Sequence, residues 1–332
     1  MRALVTGAAG FVGSHFVRHA LQQRPDWEIV APVSGRHRGD AANLALVFAS
    51  PRFRAFHHDL RWPISDRQAD DIGPVDAIVH CAAESHVERS ISDPVPFIQN
   101  NVDTTLHALE FARRQPRLRA FVQISTDEVY GPPQSGERHA EWSVIRPSNP
   151  YAASKACQEA IAYAYWRTND VPVLFTNTMN NFGEGQHGEK FVPYVTENIL
   201  AGRRFGIHGR DGVFSSRCWT YVVNHADALL FLLDRELPRY PSSRDPERVN
   251  IVGDTELDSR RMVERIAAWL GREADWYPID YHATRPGHDL RYALDGSRLA
   301  AMGWTPPHSF EDGLGRTLAW AAGNVRAEAG AR

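Results

Sequence analysis

A short apolar segment followed at once by three spaced glycines is the feature that most constrains how this chain can fold. Residues 2–6 read RALVT, Gly7, Gly10 and Gly13 follow, and residues 14–23 have helical character. Such glycines let the backbone approach a pyrophosphate, and the helix N-terminus offers it free N–H groups and a partial positive charge. The sequence therefore predicts a strand–turn–helix unit that binds a dinucleotide.

Further short apolar segments alternate with helical patterns along the first half of the chain. Segments 28–33, 53–58, 76–82, 120–125 and 171–178 are predicted strands, and segments 97–114 and 151–167 are predicted helices. This alternation indicates βαβ units and a parallel sheet covered on both faces. We predict an α/β fold: a doubly wound, Rossmann-type sheet with a smaller C-terminal lobe that binds the substrate.

The sequence character changes after Asn181, where Gly- and His-rich loops run from residue 182 to residue 217. We predict a dinucleotide-binding Rossmann domain over residues 1–181, and a second lobe mainly over residues 182–332. The segment 219–252 contains an apolar helix and a strand, and we expect it to return in part to the Rossmann sheet.

Bulk composition excludes several classes of function. The formal net charge is only −3 over 332 residues, so the chain lacks the excess of positive charge that is typical of proteins that bind nucleic acid. The three cysteines, Cys81, Cys157 and Cys218, lie far apart, without metal-ligand spacing. No apolar stretch approaches the roughly 20 residues that span a bilayer. We expect a cytoplasmic protein without a metal, nucleic-acid or membrane partner.

The loop after the second predicted strand bears on the choice of dinucleotide. An acidic residue there normally holds the ribose 2′-hydroxyl of NAD, but residues 31–38 read APVSGRHR. Ser34, Arg36 and Arg38 could instead surround a 2′-phosphate, because arginine donors match phosphate oxygens. The loop favours NADP, and NAD and a merely solvated loop stay open. Asp59, after the third strand, is placed to meet the adenine edge.

Tyr151 and Lys155 are four residues apart at the start of a predicted helix, so they share one face. A nearby ammonium stabilises a phenolate, as would a positive nicotinamide ring, and together they are expected to lower the tyrosine pKa from about 10. Such a tyrosine can take a hydroxyl proton while the same carbon is oxidised. Thr126, at the end of the fifth strand, could hydrogen-bond the same oxygen.

Two adjacent acids, Asp127 and Glu128, follow Thr126. Once C4 of a hexose is a ketone, the C5 proton becomes acidic and the C6 hydroxyl becomes a leaving group. Elimination then needs a base at C5 and an acid at C6. Adjacent carboxyls can divide these roles if their environments separate their pKa values. A loop or helix cap is the simpler alternative for this pair.

These residues resemble the extended short-chain dehydrogenase/reductases, and among them the dTDP-glucose 4,6-dehydratases. The resemblance rests on the segments TGAAGFVGSH, AAESHVERS, IQNNVDTT, STDEVYG, SNPYAASKA, TMNNFG and RPGHDLRY, of which STDEVYG and RPGHD are the specific ones. It implies a homodimeric nucleotide-sugar 4,6-dehydratase, with its dimer helices at 97–114 and 151–167. It also implies that Asp127 is the acid and Glu128 the base, while Thr126, Tyr151 and Lys155 serve the oxidation.

The resemblance also implies binding residues. Besides Ser34, Arg36 and Arg38, the expected cofactor contacts are Gly7, Gly10, Phe11, Val12, Gly13, Asp59, Leu60, Ala82, Ala83, Tyr151 and Lys155. The expected hexose contacts are Ser85, Glu88 and Arg89. The expected contacts to the nucleotide diphosphate are Asn181, Glu189, Lys190, Arg217, Asn250, Arg285 and His288.

The chain departs from the family pattern around the nucleotide. Residues 179–184 read MNNFGE where SNNYGP is usual, residues 206–209 read GIHG, and residues 217–219 read RCW. The reaction class is therefore better supported than dTDP-glucose itself, and a CDP-, UDP- or GDP-sugar stays open. The alternatives are a 5,6-dehydratase, a 4-epimerase, and a catalytically silent protein that senses a dinucleotide.

Overall fold

A computed structural model of the protein describes residues 1–35, 41–134, 136–280 and 290–330, apart from the side chains of residues 41 and 324–330. The strands are β1 Arg2–Thr6, β2 Glu28–Val33, β3 Phe53–His57, β4 Ala77–His80, β5 Ala120–Thr126, β6 Val173–Thr178, β7 Asn180–Phe182, β8 Phe205–Arg210, β9 Val213–Phe214, β10 Ser216–Tyr221, β11 Glu247–Ile251, β12 Thr255–Asp258 and β13 Trp276–Ile279. Seven of them form one sheet in the order β3-β2-β1-β4-β5-β6-β11, and every neighbouring pair is parallel.

The helices of the described residues are α1 Phe11–Gln23, α2 Asp66–Ile72, α3 Val87–Ser92, α4 Pro94–Ala112, α5 Pro150–Asn169, α6 Phe191–Leu200, α7 Val222–Leu233, α8 Ser259–Leu270, α9 Ser297–Ala301 and α10 Phe310–Gly330. Short 3-10 turns span Ala41–Leu44 and Asp127–Tyr130. The α1 and α7 helices pack on one face of the large sheet, and α2, α4 and α5 pack on the other. This arrangement confirms the predicted doubly wound α/β fold.

The strand alternation explains why both faces of the large sheet are apolar. Ala3 and Val5 of β1 belong to the core under α1 and α7, whereas Leu4 belongs to the core under α4 and α5. All three side chains are fully buried. Successive residues of a strand point to opposite faces, so a strand covered on both sides reads as a continuous apolar run.

The order in which strands are added to the sheet reverses between β1 and β4. From β1 the chain adds β2 and β3 on one side, and then crosses to add β4, β5 and β6 on the other. In open parallel sheets, ligands bind beyond the carboxyl ends of the strands at such a reversal. The topology therefore places a binding crevice after Thr6 and His80, which pair across β1 and β4.

The remaining strands form two small sheets. One has the order β12-β10-β7 and the other β13-β8-β9. A separate apolar core, which includes Phe182, Phe205 and Trp219, packs them against α6, α8 and α10. The late strand β11 instead pairs with β6 at the edge of the large sheet. Within the described part of the chain, no helix has the length and apolar character needed to cross a membrane.

Candidate active site

The glycine turn brings the backbone of β1 very close to the end of β4. Gly7 has φ of 64°, and a Cβ there would lie 2.8 Å from the carbonyl carbon of Cys81. A Cβ on Gly13 would lie 2.3 Å from the Gly7 oxygen. Gly10 precedes α1 and provides no side-chain cap. Only glycine fits at positions 7 and 13. Because no side chain caps α1, its first N–H groups can bind an anion.

A cleft of about 500 Å³ opens at this turn and runs across the carboxyl ends of β1, β4, β5 and β6. It brings together most of the residues predicted from the sequence. Its lining includes Gly7, Gly10, Phe11, Val12, Gly13, Ser34, Asp59, Leu60, Ala82, Ala83, Ser85, Arg89, Thr126, Asp127, Glu128, Tyr151, Lys155, Asn181, Glu189 and Lys190. Arg36, Arg38, Arg285 and His288 lie outside the described residues.

Three predicted substrate residues do not line this cleft. Glu88 is exposed in the first turn of α3. Arg217, on β10, donates to the Ser215 hydroxyl at 2.8 Å and lies over the Tyr292 ring. Asn250 is fully buried, and its amide donates to the carbonyls of His139 and Asp295 at 3.0 Å each. Asn250 therefore holds two loops together, and this position does not support the predicted contact with substrate.

The adjacent acids lie in different environments. Asp127 is 5% exposed and accepts a 2.9 Å hydrogen bond from the Thr126 hydroxyl, whereas Glu128 is only half-buried. Burial raises the pKa of Asp127 to about 7, and the charge of Glu128 adds to the rise. At neutral pH the protein can therefore hold a proton on Asp127 next to the second acid.

The Tyr151 side chain is half-buried and lines the cleft together with the two acids. Burial raises its pKa above the usual value of 10.0, as do the charges of Glu128 and Asp127, and a hydrogen bond with Thr126 lowers it. The protein's own groups thus raise the pKa of Tyr151, and the Lys155 ammonium does not produce the expected decrease. The decrease expected from a nicotinamide ring stays a prediction. Burial and two acids outweigh the Thr126 hydrogen bond, so Tyr151 needs a further positive charge beside its ring to act as a base.

Lys155 is held by the strand that ends in Thr126. Its Nζ atom donates a 2.7 Å hydrogen bond to the carbonyl of Ile124. Burial lowers the pKa of Lys155 to about 8, against the charge of Glu159, which raises it. The ammonium is thus fixed beneath the active-site end of β5.

Two residues that sequence reasoning missed position the start of α5. The Ser90 hydroxyl accepts a 3.1 Å hydrogen bond from the Tyr151 N–H, and the Asn149 side chain accepts one of 2.9 Å from Ala152 N–H. Pro150, at the first helical position, has no N–H to satisfy. An Asn-Pro pair before a helix signals such a cap, whereas nothing local to Ser90 indicates its role.

Contacts within the lining of the cleft join residues 189–190 to residues 85–86. Lys190 Nζ donates a 2.9 Å hydrogen bond to the carbonyl of Ser85. Glu189 and His86 approach to 3.5 Å between Oε2 and Nε2. These contacts hold the N-terminal end of α6 against the segment that leads into α3. Polar and charged groups thus converge where these two segments meet in the lining of the cleft.

Comparison with known proteins agrees with this geometry. The profile of the NAD dependent epimerase/dehydratase family matches residues 3–251. The chain belongs to this family. Among family relatives, the low-salt glycan biosynthesis protein Agl12 of Haloferax volcanii is 39% identical, covering 95% of this chain and 96% of that protein. The dTDP-glucose 4,6-dehydratase of Streptomyces niveus is 36% identical, covering 96% and 92%.

A solved family structure extends the similarity to three dimensions. DesIV, a dTDP-glucose 4,6-dehydratase from Streptomyces venezuelae crystallised with NAD bound, superposes with a TM-score of 0.86. It is 38% identical in sequence, and the match covers 98% of each chain. The resemblance predicted from the sequence motifs is confirmed.

Proposed function

We propose that this protein is a nucleotide-sugar 4,6-dehydratase that converts a nucleotide-diphosphate hexose into its 4-keto-6-deoxy form. The observation that carries the proposal is the pair of acids beside Tyr151, one with its pKa raised to about 7 and the other at the open side of the same turn. A simple oxidation at a hydroxyl needs one proton acceptor and a hydride acceptor, whereas elimination of water needs a second proton acceptor and a proton donor as well.

The residues around the glycine turn fit a nicotinamide dinucleotide. The turn lets a pyrophosphate reach the N-terminus of α1, and the cleft continues from there to Tyr151 and Lys155. When bound, the dinucleotide takes two electrons from C4 of the hexose and later returns them to C6. The positive charge that Tyr151 requires fits an oxidised nicotinamide beside it.

In the oxidation, Tyr151 accepts the proton of the C4 hydroxyl. Thr126 hydrogen-bonds the Tyr151 oxygen and so orients it. Lys155, held by Ile124, contributes a positive charge under the same end of β5. These three residues place the proton acceptor and leave the C4 carbon as a ketone.

In the elimination, Glu128 takes the C5 proton, and the electron pair of that bond forms the C5–C6 double bond as the C6–O bond breaks. Asp127 gives its proton to the departing oxygen, which leaves as water. Glu128 returns a proton to C5 when C6 is reduced. The proton that Tyr151 gained offsets the one that Asp127 lost, so the cycle consumes nothing but substrate.

We also propose that residues 182–332 mainly bind the nucleotide sugar, while residues 1–181 and part of 219–252 bind the dinucleotide. Glu189 and Lys190, which follow residue 181, support this, because they line the same cleft as Tyr151. Ser85 and Arg89, the expected hexose contacts, line it as well. The identity of the nucleotide base is a matter for substrate tests.

The choice between NADP and NAD is a finer part of the proposal. Ser34 lines the cleft after β2, and no carboxylate occurs in residues 31–38, which supports NADP. The NAD bound to DesIV supports NAD. Replacing both Arg36 and Arg38 with alanine should weaken NADP binding more than NAD binding, as measured by calorimetry. Equal losses for both would reject the 2′-phosphate site.

We further propose a homodimer built through α4 and α5. These two helices pack against each other, and α4 leaves Val95 58% exposed and Ile98 39% exposed. Light scattering coupled to gel filtration gives the mass directly. A dimer that dissociates in a Val95→Glu, Ile98→Glu variant is the expected result, and a monomeric wild type would refute the proposal.

The decisive experiment is a turnover screen of dTDP-, UDP-, CDP- and GDP-hexoses with each dinucleotide. The proposal expects a product lighter by one water, with no net reduction of the dinucleotide. In deuterated water that product should carry one deuterium at C5. An epimerised product of unchanged mass would point to a 4-epimerase, and the absence of turnover to a binding protein.

A further inference from the structure

The Asn149 side chain links the helix that carries Tyr151 to the carboxylate of Glu128. Its Oδ1 atom accepts a hydrogen bond from Ala152 N–H at 2.9 Å, which caps α5. Its Nδ2 atom donates a hydrogen bond to Glu128 Oε2 at 2.8 Å. Asn149 is 9% exposed, so both contacts are sheltered from water.

The helix fixes which way this amide points. A backbone N–H can only donate, so the atom of Asn149 that faces Ala152 must be the oxygen. The atom that faces Glu128 is therefore the nitrogen, which carries only hydrogens. Glu128 Oε2 must then act as an acceptor, and this contact favours the charged form of Glu128.

Asp127 receives no comparable support. Its Oδ1 atom accepts from the Thr126 hydroxyl at 2.9 Å, while its Oδ2 atom is buried without a hydrogen-bond partner among the residues that the structure describes. A buried carboxyl oxygen without a donor is most stable when it carries the proton. The two neighbouring acids are thus driven towards opposite protonation states.

We propose that Asn149 is a positioning residue that assigns the base role to Glu128 and leaves the acid role to Asp127. The inference rests on the proposed dehydration. The same amide caps α5, and Tyr151 lies on α5 two residues after Asn149. Asn149 therefore also fixes the position of Glu128 relative to Tyr151. Helix capping and the division of roles between the acids then depend on one side chain.

Three substitutions separate these two contributions. Asn149→Ser and Asn149→Asp keep an oxygen that can cap α5, but neither keeps the amide donor to Glu128. Asn149→Asp in addition places a second negative charge against Glu128. Asn149→Ala loses the cap and the donor. We expect thermal midpoints close to wild type for the serine and aspartate variants, and a lower midpoint for alanine.

The first readout is deuterium incorporation at C5, with the nucleotide hexose that the wild type consumes in the screen as the probe. Because the Glu128 carboxylate is then no longer held in place relative to Tyr151, this step should slow by about tenfold to a hundredfold in Asn149→Ser. Reduced nicotinamide should accumulate during turnover, because oxidation at C4 continues while proton removal is slow. Asn149→Asp should be slower still. Exchange at the wild-type rate in Asn149→Ser would overturn the proposal.

The second readout does not depend on turnover. Infrared titration of the protein without substrate, with Glu128→Gln to assign the signal, should show that the pKa of Glu128 rises in Asn149→Ser. Asp127 on the same turn, Tyr151 on α5, and Arg217 on β10, whose charge acts on Asp127, also face this pair. All three are kept in every variant. An unchanged titration would overturn the inference about Asn149 alone, whereas a wild type that releases no water would overturn the dehydration and with it the base role of Glu128.

Discussion

The Glu159 carboxylate and the Arg248 guanidinium form a buried ion pair beneath the end of β5, with 2.8 Å between Oε2 and Nη2. Both side chains are at most 3% exposed. The other oxygen of Glu159 accepts hydrogen bonds from the Ser125 hydroxyl and from Asn177. Asn177 also donates to the carbonyl of Thr126 at 3.0 Å. This cluster supports the segment that carries Thr126 and the two acids.

Glu159→Gln should destabilise the fold strongly, because it leaves the Arg248 charge buried without a counter-ion. Removing one partner of a buried pair costs about 3–5 kcal/mol. Urea unfolding followed by circular dichroism measures the change in the free energy of unfolding. Glu264→Gln, on the exposed face of α8, is the matched control and should cost little.

A double variant tests whether the charge itself is responsible. Glu159→Gln combined with Arg248→Met removes both charges and should recover most of the lost stability, because an apolar replacement of a buried pair is often nearly neutral. Losses that simply add in the double variant would show that the two side chains act independently.

Glu128→Gln should stop the reaction after oxidation at C4. The amide cannot take the C5 proton, so we expect product formation to fall by about a hundredfold to ten-thousandfold. Reduced nicotinamide should accumulate on mixing with substrate, and dinucleotide affinity should be unchanged. Stopped-flow absorbance follows the accumulation of reduced nicotinamide. Full turnover by this variant would remove Glu128 from the mechanism.

Tyr151→Phe should instead slow the oxidation itself. The phenyl ring cannot accept the C4 hydroxyl proton, so we expect reduced nicotinamide to appear about a hundredfold to ten-thousandfold more slowly in a single turnover. Tyr277→Phe, an exposed tyrosine far along the chain, provides the control for loss of a phenolic hydroxyl. A single-turnover rate equal to wild type would contradict the role of Tyr151.

The raised pKa of Asp127 makes stability depend on pH. The ordinary pKa of an aspartate is 3.8, and the pKa of Asp127 in the folded protein is about 7. The folded protein therefore holds this proton more tightly than the unfolded chain, and the contribution is complete below pH 3.8 and is lost as pH rises through about 7. Asp127→Asn should flatten this part of the profile of unfolding free energy against pH, measured by urea titration.

The same pKa sets the expected activity profile. If Asp127 is the proton donor, kcat/KM should decrease as pH rises through about 7, the range in which Asp127 loses its proton. Asp127→Asn keeps the shape of the side chain but has no proton to give, and its residual activity should lack this alkaline decrease. A wild-type profile that is flat across this range would argue against Asp127 as the acid.

Much of the fold and of the site could be predicted from the sequence, because it depends on residues that are close together in the chain. The segment from β1 through the glycine turn to α1 was predictable because its backbone demands are local, and the alternating apolar segments predicted the strands of the large sheet. The helix predicted from Tyr151 begins at Pro150. The very short β9, Val213–Phe214, leaves no periodic pattern to detect.

Side-chain direction was harder to predict. Asn250 lies in the core because β11 pairs with β6 and turns this residue towards two loops, which depends on packing far along the chain. The pKa of Tyr151 depends on burial and on two acids, not on the spacing of Tyr151 and Lys155 alone. Ser90 contacts Tyr151 only because α3 is folded against α5.

The position of β11 has a consequence for protein engineering. The seventh strand of the large sheet is supplied by residues 247–251, which follow the small-sheet strands β7 to β10 along the chain, and it brings Arg248 to Glu159. A fragment that ends at residue 181 would lack both the edge strand and the counter-ion. Chimaeras that exchange the residues after 181 between family members should therefore keep β11 together with the N-terminal half.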